Sequence, residues 1–157
     1  MSYPGAMLGK IVVGVDRSPS SKAALRFAAD EARLRDAGLV AVHAWTYFTA
    51  APIGEPGIMP MPAGDLPGQL EAERDAAERE LYAAVEEAFP GEPPVKIEYR
   101  LVEGAAADVL VSEAEGAELI VVGSRGRGGI ASALLGSVST HVVQHAARPV
   151  VVVKASD

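Results

Sequence analysis

Apolar residues along this chain fall into short unbroken runs, separated by longer stretches in which they recur at helical spacing. Ile11 to Val15 has no polar interruption, which predicts a strand buried on both faces. Ser18-Pro19 then sets a capping side chain ahead of a proline at the first helical position. Ala24, Leu25, Ala28 and Ala32 share one face of the helix that follows, which runs to about Asp36 and is closed by Gly38. Leu39 to Trp45 reads as a second strand. Ala51 to Gly68 contains five of the 11 prolines and four of the 16 glycines, too broken for an element, so a long surface loop of the lid or connecting kind is expected there. From Leu70 to Phe89 helical spacing returns, with apolar contacts at Leu70, Ala77, Leu81, Ala84 or Val85, and Ala88. Val95, Ile97, Tyr99 and Leu101 alternate as a third strand, and Ala105 to Glu115 forms a helix closed by Gly116. Leu119 to Val122 is a fourth apolar run, Ser137 to about Ala146 a helix carrying Val138, Val142 and Val143, and Pro149 to Lys154 a fifth strand.

Five strands interleaved with four helices predict an α/β fold: a five-stranded, mostly parallel sheet with helices on both faces. With 157 residues and 49% hydrophobic content the chain reads as one domain, residues 1–157, with enough apolar surface for a single core. In such sheets ligands bind beyond the carboxyl ends of the strands, where strand order reverses. Those ends are Val15-Asp16-Arg17-Ser18, Ala44-Trp45 and Gly123-Ser124-Arg125-Gly126.

Composition narrows the chemistry. There are no cysteines, which removes disulfides, cysteine-ligated zinc and thiol catalysis together. A net charge of −7 argues against a nucleic-acid or anionic-membrane partner. Much of that acidity is local, since Glu71, Glu73, Asp75, Glu78, Glu80, Glu86 and Glu87 face only Arg74 and Arg79 in their segment, the pattern of a solvated helix face. No apolar run reaches the roughly 18 residues of a membrane span, and Met1 to Lys10 lacks the regions of a signal peptide, so a cytoplasmic location is expected.

The glycine-rich end carries the candidate site. Gly123-Ser124-Arg125-Gly126 lies between an apolar strand and, after nine further residues, Gly136-Ser137 at the start of a helix. Glycines let backbone N–H groups approach an anion, and a helix N-terminus adds unpaired amides and a favourable dipole, so this spacing predicts a phosphate-binding loop. Ser137 serves as N-cap or as an extra donor. On this reading a valine at Gly123 or Gly136 puts a side chain where the main chain must touch the ligand. Asp16 has two readings: a ligand for ribose hydroxyls or a hydrated cation, or an acid stabilising the first helix through its dipole by roughly 0.3–1 kcal/mol. Arg125 and Arg127 suit phosphate oxygens, the alternative being solvation of the loop.

Other motifs carry less. Gly126-Arg127-Gly128-Gly129-Ile130-Ala131 matches a dinucleotide fingerprint, but no acid follows about twenty residues later. His141 and His145 share a helix face without the glutamate of a metalloprotease or an evident third ligand, so exposed or locally bonded histidines are expected. His43, inside a strand, reads as a satisfied core histidine, and Ser124 has no histidine and acid partner that would make it a nucleophile. Pro149 to Lys154 is either an edge strand or a central one.

Gly-x2-Gly-x9-Gly-Ser, preceded by Leu119-Ile120-Val121-Val122 and followed by Val138-Ser139, resembles the nucleotide-binding signature of the universal stress proteins. The resemblance extends over Ile11 to Asp16, Val42-His43-Ala44, Glu103 to Gly116 and Pro149 to Lys154, and leaves only Ala51 to Gly68 without a counterpart. It implies a Rossmann-like fold of the adenine nucleotide α-hydrolase kind, membership in the ATP-binding branch, and a homodimer joined through Val150 to Val153. It also implies that Gly14 and Asp16 border the ribose and that Ala44 meets adenine through its backbone. Gly123, Ser124, Arg125, Gly126, Arg127 and Gly128 would wrap ribose and phosphates, while Gly136, Ser137, Val138 and Ser139 hold the phosphate tail, with Mg2+ accompanying it. Position 44 departs from the larger apolar residue common there. The implied function is stress response or regulation by binding ATP with slow or no hydrolysis. The alternatives are an ATP α–β phosphate hydrolase or transferase of the same fold, and a binder of AMP or cyclic AMP. The hydrolase reading expects Ser-Gly-Gly-x-Asp-Ser after the first strand, where this chain has Gly14-Val15-Asp16-Arg17-Ser18.

Overall fold

A computed structural model describes residues 9–47, 66–126 and 134–155. Five strands alternate with four helices: β1 (Lys10–Gly14), α1 (Pro19–Arg35), β2 (Gly38–Trp45), α2 (Leu66–Ala88), β3 (Ile97–Glu103), α3 (Ala106–Glu113), β4 (Leu119–Gly123), α4 (Ser137–His145) and β5 (Val150–Val153). All four strand pairings are parallel, in the order β3-β2-β1-β4-β5. Alternate residues of each strand feed opposite layers. Ile11, Val13, Leu39, Ala41, Leu119 and Val121 pack with α1 and α2, whereas Val12, Val40, Val42, Ile120 and Val122 pack with α3 and α4. Burial on both faces is why these strands read as continuous apolar runs. Among the described residues no helix is long and apolar enough to cross a membrane.

The chain leaves β1 toward β2 and β3 on one side, then returns past β1 to place β4 and β5 on the other. Strand order therefore reverses between β1 and β4, and a crevice opens at their carboxyl ends. β5 occupies an edge of the sheet, which decides between the two readings of that segment.

Local differences from the sequence reading have local causes. Ser18 caps α1, accepting from the Ser21 N–H at 3.2 Å, with Pro19 in the first turn as expected. The helix is closed by Asp36 rather than Gly38. Asp36 takes the left-handed conformation (φ 54°), which a short polar side chain tolerates, and its N–H bonds the Ala32 carbonyl. Gly38 instead opens β2. α2 begins at Leu66, so Leu66-Pro67-Gly68 belong to the helix: proline is tolerated in a first turn, where its missing N–H has no partner to lose. The rest of the expected surface loop, residues 51–65, lies outside the described residues. Ala77, Leu81, Ala84, Val85 and Ala88 are buried as expected, but Leu70 is 40% exposed.

α2 is tied to the β1–α1 turn by charge. Arg17 pairs with Glu80 at 3.2 Å and with Glu87, and Lys22 pairs with Glu87 at 2.6 Å. The hydrogen bonds from Lys22 and Arg17 hold the Glu87 carboxyl below its ordinary range. Half-exposed pairs of this kind contribute little stability singly, but here they hold one surface of the turn that borders the crevice.

Candidate functional site

The crevice encloses about 280 Å³. It is lined by the end of β1 (Gly14, Val15, Asp16), the start of α1 (Ser18, Ser21), the end of β2 (Val42, His43, Ala44), α3 (Ala106, Leu110), the end of β4 (Val122, Gly123) with Arg125 and Gly126, and the start of α4 (Gly136, Ser137, Val138, Ser139). Ten of the residues singled out from sequence thus meet here: Gly14, Asp16, Ala44, Gly123, Arg125, Gly126, Gly136, Ser137, Val138 and Ser139. Ser124 does not line the crevice but is buried, 5% exposed, beneath the bend. Arg127 and Gly128, with most of the dinucleotide-like stretch, lie outside the described residues.

Hydrogen bonds stitch the two glycine bends into one frame. The Ser124 carbonyl accepts from the Gly136 N–H at 2.7 Å and from Ser139 Oγ at 3.1 Å, while the Ser124 N–H donates to Val153 of β5 at 2.8 Å. Ser139 Oγ also reaches the Gly136 carbonyl at 3.0 Å, so this hydroxyl braces the loop. The Arg125 carbonyl accepts from Ser18 Oγ at 3.1 Å and from Ser20 Oγ, and the Arg125 N–H donates back to Ser20 Oγ at 3.3 Å. Nothing in the sequence marked Ser20. Its role depends on α1 docking its first turn against a bend more than one hundred residues later in the chain.

The glycines also meet packing demands within the fold. A Cβ on Gly123 would lie 2.8 Å from Ser20 C and 2.8 Å from Ser21 N, so the absence of a side chain here lets α1 approach β4. A Cβ on Gly126 would lie 2.8 Å from Asp16 Oδ2, which brings the carboxylate against the β4 bend. Gly136 is roomier, its nearest neighbours for a Cβ being Arg125 Cα at 3.4 Å and Gly126 N at 3.5 Å. Gly136 also takes the N-cap position of α4 that was open to Ser137; Ser137 is the first helical residue.

α4 has no side-chain cap and no acidic residue in its first turn. Its leading amides and dipole therefore face the crevice without an internal anion. Asp16 is the only acid among the described lining residues. Its Oδ1 accepts from the Ser18 N–H at 2.9 Å, so it organises the start of α1 as well as bordering the crevice. His43 is hydrogen-bonded as expected, but it is half-buried and lines the crevice instead of sitting in the core. His141 and His145 are locally bonded: the rings stack with centroids 4.1 Å apart, His145 Nδ1 meets the His141 carbonyl at 2.9 Å, and His141 Nε2 meets Asp108 at 3.2 Å.

The model of the universal stress protein family matches residues 7–154, nearly the whole chain and every element of this crevice. The chain belongs to the universal stress protein family. A universal stress protein of Mycobacterium tuberculosis is 40% identical over 153 residues, covering 98% of this chain and 48% of that protein. The chain thus spans about half the length of the curated relatives it matches. Among solved structures, a universal stress protein in complex with cAMP is 31% identical, with a TM-score of 0.57, covering 94% of this chain and 98% of that one. The universal stress protein UspA from Lactobacillus plantarum, 24% identical with a TM-score of 0.69 over 95% of this chain and 99% of that one, shares the fold. In this universal stress protein, then, the expected Rossmann-like architecture is present, with the crevice at its strand-order reversal.

Proposed function

We propose that the crevice binds an adenine nucleotide, ATP with Mg2+ on its phosphates, and that the protein acts in stress response or regulation through occupancy, with slow or no hydrolysis. The observation that carries this reading is the uncapped N-terminus of α4 opening onto a crevice at the β1/β4 reversal, its bend bonded to the Arg125 loop. The backbone amides of Ser137, Val138 and Ser139 take the phosphate tail, Gly123, Arg125 and Gly126 border ribose and phosphates, Gly14 and Asp16 face the ribose, and Ala44 meets the base through its main chain. Mg2+ is a hard cation that prefers oxygen donors and arrives with the phosphates; Asp16 is the lining carboxylate suited to it. Turnover is disfavoured because the turn after β1 lacks the Ser-Gly-Gly-x-Asp-Ser pattern of the hydrolases that the fold resembles.

The relative solved with cAMP favours a second ligand for the same crevice, a cyclic or monophosphate adenine nucleotide. Calorimetric titration with ATP, AMP and cAMP in the presence of Mg2+ separates these. The expected order places ATP tightest, since only it extends along the α4 amides, and product analysis of the same samples is expected to show little pyrophosphate or phosphate. Absence of heat with all three nucleotides removes the nucleotide reading. Among the described residues the outer side of β5, a run of valines, has no strand partner, which supports a homodimer through that strand. Sedimentation is expected to give the mass of two chains, and a monomer at every concentration removes the dimer.

A further inference from the structure

In the turn after β1 the Val15–Asp16 peptide unit is held at both ends. The carbonyl of Val15 lies 2.7 Å from His43 Nδ1, and the amide at the other end of that unit, the Asp16 N–H, donates to Ser21 Oγ at 3.1 Å. A carbonyl oxygen only accepts, so Nδ1 carries the hydrogen in this contact, as it does in both the Nδ1–H tautomer and the cation. Both poles of the peptide dipole are therefore pinned by side chains, one from β2 and one from α1. The next residue, Arg17, is left-handed (φ 62°), a conformation strained for a non-glycine residue. Such a residue persists when the turn around it is held.

We propose that His43 is a positioning residue for the nucleotide site, its Nδ1–H holding the Val15–Asp16 peptide so that Asp16 faces the ribose side of the crevice before the ligand arrives. This rests on the nucleotide reading above and adds to it the residue that preorganises one wall. Because the bond needs only Nδ1–H, it survives protonation of the ring. The effect is confined to the base and ribose end, since the α4 amides are held by a separate set of bonds through Ser124.

The test compares ATP with inorganic tripolyphosphate, the latter measured by displacement of ATP, in wild type and in H43A, H43Q and H43N. Asparagine places an N–H where Nδ1 lies; glutamine keeps the bulk but carries its N–H one atom further out. H43A and H43Q are expected to bind ATP about three- to tenfold more weakly, the loss of one hydrogen bond. Tripolyphosphate affinity is expected to be unchanged, and H43N to restore ATP affinity to near the wild-type value. Should H43A not fold, H43Q against H43N makes the same comparison. Equal ATP affinity in all variants, an equal loss for ATP and tripolyphosphate, or an H43N as weak as H43Q overturns the assignment. A wild-type protein that binds no ATP removes the nucleotide reading itself, a result distinct from these.

Discussion

Gly123→Val is expected to destabilise the fold by about 3 kcal/mol or more and to lose nucleotide binding only as a consequence. The reason is where the new side chain would go. Even its Cβ would meet Ser20 Oγ at 2.6 Å and the backbone of Ser20 and Ser21 at 2.8 Å, and backbone in a helical first turn cannot swing aside as the end of a flexible side chain can. Relief requires moving α1 away from β4, which also breaks the contacts between Ser18, Ser20 and the Arg125 carbonyl. Gly136→Ala is the matched contrast, since among the described residues its Cβ meets nothing closer than 3.4 Å and its φ of −75° suits any residue; its cost is expected to stay within about 1 kcal/mol. Urea denaturation of the two variants beside wild type reads the difference. A Gly123→Val protein as stable as wild type yet unable to bind ATP would place this glycine's role at the ligand instead.

Ser137→Pro is expected to keep the fold and weaken ATP about tenfold or more. Proline is favoured at the first position of a helix, where the N–H has no intrahelical partner, and the preceding Gly136 already has the extended conformation (ψ 170°) that a following proline demands. The substitution therefore removes one amide from the α4 cradle while leaving α4 intact. Hydrogen bonds to charged groups contribute about 1.5–3 kcal/mol, so a phosphate losing this donor pays more than a neutral ligand would. Adenosine affinity is expected to be unchanged, because it brings no phosphate to the helix. Titration of both ligands checks the split. Unchanged ATP affinity in a folded Ser137→Pro protein would mean that the phosphates lie elsewhere.

How far the site could be read in advance differs from residue to residue. The bends at Gly123 to Gly126 and Gly136 were visible because glycine spacing between an apolar run and a helical pattern is a local signal, and the crevice does form there. What each glycine accommodates was not visible: the Cβ of Gly123 points at α1 and that of Gly126 at Asp16, contacts set by how distant elements dock. The Ser139 hydroxyl bonds two carbonyls of its own loop and Ser124 lies beneath the bend, placements that no local pattern encodes. His43 and Ser20 carried no distinctive pattern, because a single histidine in a strand or serine in a first helical turn is common whether or not it touches a site.

By itself the sequence determined the identity and order of the elements, since burial on both faces demands unbroken runs such as Ile11 to Val13 and Leu119 to Val122, and one-sided burial demands the helical spacing of Ala24, Leu25, Ala28 and Ala32. It also determined that glycine bends would follow the fourth strand and precede the last helix. Only the tertiary structure decided that β5 is an edge, that strand order reverses between β1 and β4, and that the Val15–Asp16 peptide is gripped from β2 and α1 together. Each of these depends on pairing and docking between segments far apart in the chain. Local propensity carries no record of such partners; they are selected when both faces of the sheet are covered at once.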